Sequence, residues 1–94
     1  MFGKKITNDQ DGIPNKEVYN EICKQFNTGF FGGISVRRAL KAKELALTGL
    51  DIKDISFLKY FPNLEDLNLS INKIDNLGPI RSLKKLNQLS IIEN

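Results

Sequence analysis

The sequence predicts an α/β chain: a right-handed repeat solenoid of about two and a half turns with a short parallel sheet, preceded by an α-helical cap. Three observations predict it. Apolar residues recur every 22 positions, so that Leu45, Leu67 and Leu89 share one register and Leu47, Leu69 and Ile91 another. Within residues 64–77, LEDLNLSINKIDNL, the spacing of Leu64, Leu67, Leu69, Asn72, Ile74 and Leu77 fits neither a helix nor a lone strand. Residues 13–27, in contrast, carry helical periodicity.

Residues 1–12 are polar and punctuated by Gly3, Asn8, Asp9, Asp11 and Gly12, which predicts a flexible terminus. In residues 13–27, Val18, Tyr19, Ile22, Cys23 and Phe26 form one apolar stripe. Pro14 and Asn15 supply the start signals, because proline suits the first turn and an asparagine oxygen accepts an orphan backbone N–H. Cys23, the one cysteine, excludes an internal disulfide and is expected as a small core side chain.

The loop TGFFGGIS, residues 28–35, lacks the Lys-Ser/Thr ending and the preceding strand of a phosphate-binding loop. Phe30 and Phe31 are instead expected to fill the gap between two helices, with Gly32 and Gly33 allowing the reversal. Ser35 then caps a short helix over residues 36–41, with Val36, Ala39 and Leu40 facing inward. Residues 13–41 together form the helical cap.

Residues 42–94 divide into units 42–63 and 64–85 and an incomplete unit 86–94. Leu45 aligns with Leu67, Leu47 with Leu69, Ile52 with Ile74, Ile55 with Leu77, Leu58 with Ile80 and Phe61 with Leu83. Strand alternation turns Leu67 and Leu69 inward and Asn68 outward. The return half is spaced by threes, Leu77, Ile80, Leu83 and Leu86, and contains Gly78 and Pro79, which suits a 3₁₀-like segment pointing its apolar residues inward. Asn72 is polar where the pattern is buried, so its amide must find partners, and Asn72→Ala is expected to cost about 1 to 3 kcal/mol.

The pattern L-x-x-L-x-L-x-x-N-x-[LI] is the leucine-rich repeat signature, and the chain resembles a leucine-rich repeat protein of the 22-residue class. Its arrangement is similar to that of bacterial internalin-type proteins, which join a helical cap to such repeats. The resemblance covers residues 45–94, about half of the chain. It implies that Asn72, and Asn94 at the matching position, bridge backbone groups of adjacent turns, and that the chain is a protein–protein interaction module or scaffold.

Such a solenoid would offer a concave partner-binding face of Glu44, Thr48, Asp66, Asn68, Ser70, Gln88 and Ser90. Its last turn would expose Leu86, Leu89, Ile91 and Ile92, an edge expected to close in a homodimer. Arg37, Arg38, Lys41, Arg81, Lys84 and Lys85 make a basic outer surface that supports an alternative, binding of nucleic acid or another acidic polymer. Interspersion of 14 basic with 11 acidic residues, net +3, weighs against nucleic acid. With no histidine, and with acids and the lone thiol unclustered, neither a catalytic set, a metal site nor a cofactor is expected. No segment has the apolar length of a signal peptide or a membrane span, so a cytoplasmic chain is expected.

Overall fold

The computed structural model describes residues 3–28 and 32–94, so the expectation for Phe30 and Phe31 lies outside the described residues. Helix α1 spans Lys16–Phe26. Asn15 caps it, its Oδ1 accepting from the N–H groups of Glu17 at 3.0 Å and Val18 at 3.1 Å. Asn27 ends it in the left-handed region at φ 53°, its N–H donating to the carbonyls of Cys23 and Lys24. Val18, Ile22 and Phe26 form the buried stripe.

Helix α2, Val36–Lys41, begins where the Arg38 N–H donates to Ser35 Oγ at 3.3 Å. Here one expectation fails: Leu40 is 46% exposed. In a six-residue helix Val36 and Ala39, three apart, fill the single inner stripe. Leu40, one position on, is turned away from it.

Within the segment read from the sequence as a flexible terminus, two residues join a sheet. Strand β1, Lys5–Ile6, pairs antiparallel with β2, Ile34–Ser35. Ile6 is buried, and the Ile13 N–H donates to the Thr7 carbonyl at 2.9 Å. The signal was one apolar residue, too little to register as a strand.

Strands β3 (Glu44–Ala46), β4 (Asp66–Asn68) and β5 (Gln88–Ser90) form a parallel sheet in that order. Leu45 stands beside Leu67 and Leu67 beside Leu89, so the 22-residue spacing survives as pairing register. The returns contain 3₁₀ segments, Ser56–Tyr60 and Gly78–Ser82. In the first return Ile55, Leu58, Phe61 and Leu64 are buried; in the second, Leu83 is buried but Leu77 is 45% exposed.

The expected fold class, a right-handed leucine-rich repeat solenoid under a helical cap, is not what this chain builds. Phe26 of α1 meets Phe61 edge-on at a ring separation of 6.0 Å, and a continuous core runs from Ile6 to Leu83. Helices and both sheets therefore close around one centre. The radius of gyration, 12.6 Å, is that of a compact domain of this length, for which about 12.4 Å is expected. The described residues form a small mixed α/β globule of two sheets and two helices, with strands of two or three residues in place of an elongated, curved sheet. The fixed spacing encodes local pairing, whereas the overall shape comes from helix and sheet residues sharing one core.

Candidate binding cleft

The chain segment entering α1 and the loop after β3 face one another across a hollow of about 320 Å³. Its floor is apolar, made by Ile13, Pro14 and Phe57; Ile13 and Phe57 are buried. Asn15, Asp51, Lys53, Asp54 and Ser56 stand around the rim. An apolar floor with a few polar rim groups, at this volume, is the usual form of a ligand site.

Local chemistry fixes the rim. The Ser56 N–H donates to Asp54 Oδ1 at 2.8 Å, closing a turn ahead of the 3₁₀ segment. That backbone bond, then the Ser56 side chain, hold the Asp54 carboxyl below the ordinary range against a smaller opposing effect of burial, with the Lys59 charge adding least. Asp51 sits at φ 55°, a conformation its short polar side chain tolerates. Its carboxylate lies 3.5 Å from Lys73 Nζ with both side chains exposed, so water screens that pair. Tyr60 Oη donates to the Asp11 carbonyl at 2.9 Å, tying the N-terminal segment to the 3₁₀ segment. Sequence reasoning missed this cleft; the Asp54-x-Ser56 turn was its one readable sign.

The proposed concave face is partly consumed by the fold. Glu44, Asp66 and Asn68 border a shallow hollow, but Gln25 of α1 reaches across it. Gln25 Nε2 donates to the Ala46 carbonyl at 2.5 Å, and the Ala46 N–H donates to Gln25 Oε1 at 3.3 Å. Ser70 is buried, its Oγ 2.6 Å from Ser90 Oγ, so both hydroxyls are engaged within the chain. Thr48 and Gln88 are exposed. No common ligand geometry joins the seven residues.

Asn72 is buried and satisfied on every side. Its Oδ1 accepts from Leu50 N–H at 2.9 Å and Ile52 N–H at 3.1 Å, while Nδ2 donates to the carbonyls of Leu47, Leu69 and Ser70. Asn94 makes a smaller set: Oδ1 accepts from Ile74 N–H, and Nδ2 donates to the Leu69 and Ile91 carbonyls.

The expected homodimer has no support in this geometry. Leu86 and Ile91 pack partly against the core, leaving Leu89 at 42% and Ile92 at 70% exposed as the apolar groups on that edge. Two such side chains fall far short of the roughly 800 Å² per partner of a stable interface. Strand β5 is also only three residues long, a length that discourages edge pairing. The basic outer surface is divided as well. Lys41 and Lys85 border one hollow and Arg38 lies 5.2 Å over the Phe26 ring, while Arg37, Arg81 and Lys84 line neither that hollow nor its neighbour. The repeat-scaffold function goes with the solenoid that implied it.

Among the described residues no group of three metal-ligating side chains comes together, and no helix is long and apolar enough to cross a membrane. No protein-family model matches the chain. It is similar to cilia- and flagella-associated protein 410 of Mus musculus, 35% identical over 52 residues that make up 55% of this chain. A mouse match lends nothing to the expected bacterial, internalin-type resemblance. The aligned stretch spans 21% of the mouse protein, about a fifth of its length.

Proposed function

We propose that this chain binds a cationic ligand of the arginine or lysine type, without catalysis, in the cleft between residues 13–15 and 51–57. The observation that carries the reading is the meeting of apolar surface at exposed Pro14, backed by buried Ile13 and Phe57, with carboxylates at Asp51 and Asp54 that outnumber the one rim lysine, Lys53. An arginine or lysine side chain matches both: its methylene stem lies on apolar surface while its charged head stays at the polar edge. Asp54 supports a binding role over a chemical one. A carboxylate whose proton affinity is lowered makes a poor general base at neutral pH, and Ser56 uses its hydrogen bonds to hold that carboxylate.

Titrating the isotope-labelled chain with N-acetyl-arginine amide tests the reading. Amide shifts are expected at Ile13, Asn15 and residues 54–57, with weaker binding in Asp54→Asn. Shifts scattered over the surface, or none up to about 10 mM, where even a few kcal/mol of binding registers, would reject it.

The similarity to the mouse protein supports a cellular reading alongside this one, that the domain serves a cilia- or flagella-associated protein. A fluorescently tagged chain expressed in flagellated cells should then enrich along the organelle; uniform cytoplasmic signal would count against it.

A further inference from the structure

Helix α2, the Asn63–Glu65 turn and Lys85 enclose a second hollow, of about 370 Å³. Leu40 stands in it 46% exposed, and Lys41, Lys43 and Lys85 surround it, with Glu65 the one acid of its lining. Among the described residues the sole ion pair is Lys73–Asp51, so these three lysines have no carboxylate within 4.0 Å. Asn63 Nδ2 donates to the Leu40 carbonyl at 2.6 Å and so fixes the end of α2 against the turn. The result is an apolar centre inside a cationic rim on a braced wall.

We infer that this hollow docks an acidic protein segment carrying a leucine-sized apolar residue between its carboxylates. A half-exposed leucine excludes water when an apolar side chain covers it, and the charges around it select a partner of opposite sign. Nucleic acid fits less well, because no aromatic ring lines the hollow on which a base could stack. This surface does not touch the cleft of residues 13–15 and 51–57, and neither assignment depends on the other.

Fluorescence anisotropy on the full chain provides the test, with a labelled twelve-residue peptide of alternating Glu and Asp around one central Leu. Saturable binding at low salt is expected. It should weaken about tenfold or more in Lys41→Glu/Lys85→Glu, with steep loss on added salt as exposed charges are screened. Leu40→Ser in the protein, or Leu→Ser in the peptide, should each weaken it about fivefold, the effect of removing one modest apolar contact. These protein positions are exposed, and circular dichroism checks that the variants fold. Absence of saturable binding, indifference to either variant, or equal affinity for a uridine oligonucleotide with the same variant dependence would each overturn the inference. Asp54→Asn should leave the peptide affinity unchanged.

Discussion

Replacing Asn72 with alanine removes one side chain and strands groups on two successive turns. The Ile52 N–H is buried, and an unpaired buried donor costs about 1 to 3 kcal/mol. The Leu50 N–H is partly buried and loses an ordinary bond, about 0.5 to 1.5 kcal/mol. Of the three carbonyls, that of Leu69 keeps a bond from Asn94 and that of Ser70 one from the Gly49 N–H, which softens the loss. The sum is about 3 kcal/mol, a large share of the roughly 5 to 15 kcal/mol that holds a domain folded. Urea unfolding followed by far-ultraviolet circular dichroism should show the midpoint falling by about 2 M at unchanged slope. Hydrogen exchange should accelerate first at the Leu50 and Ile52 amides. Asn94→Ala, at an exposed residue, should cost only about 1 kcal/mol. A loss below about 0.5 kcal/mol for Asn72→Ala, or equal losses at the two sites, would refute the claim that burial sets the scale.

Gly12→Ala should destabilise by about 2 kcal/mol, since a methyl group there would fall on the Thr7 carbonyl oxygen and reach within 2.9 Å of the Thr7 nitrogen; a thermal melt reads the loss. Ile71 is 53% exposed at φ 58°, in a region that costs an L residue about 1 to 2 kcal/mol, and Ile71→Gly should therefore stabilise by about 0.5 to 1 kcal/mol after glycine's own chain entropy is subtracted. A lower melting midpoint would show that the isoleucine's contacts outweigh its backbone. For Asp54, whose carboxyl the Ser56 backbone bond holds below the ordinary aspartate value of 3.8, the folded state favours the ionised form. Its contribution is full above pH 3.8 and lost as pH falls through the lower folded-state value, so wild type and Asp54→Ala should converge in acid and separate above that window.

What the sequence carried legibly was local. Asn15 and Ser35 announced their helices because a cap needs only a short polar side chain ahead of an apolar stripe. The spacing of Leu45, Leu67 and Leu89 encoded pairing register, and Gly78 with Pro79 encoded a return that is not α-helical. Overall shape was not legible. Whether repeated turns extend or are closed off depends on contacts such as Phe26 against Phe61, thirty-five positions apart, which no periodicity contains. The cleft escaped for the same reason: Ile13 and Phe57 are brought together by the fold, and neither is unusual in its own neighbourhood.

Gln25 gives the sheet a direction. By donating to and accepting from Ala46, its carboxamide stands in for the backbone of a missing strand. The β3 side is thus finished with side-chain chemistry. The same two bonds index α1 to the sheet. Turning that helix by one residue would carry the amide about 100° around and 1.5 Å along its axis, beyond reach of both partners. The helix is therefore set against the sheet in rotation as well as in position, and a load placed on α1 would pass straight to the β3 backbone.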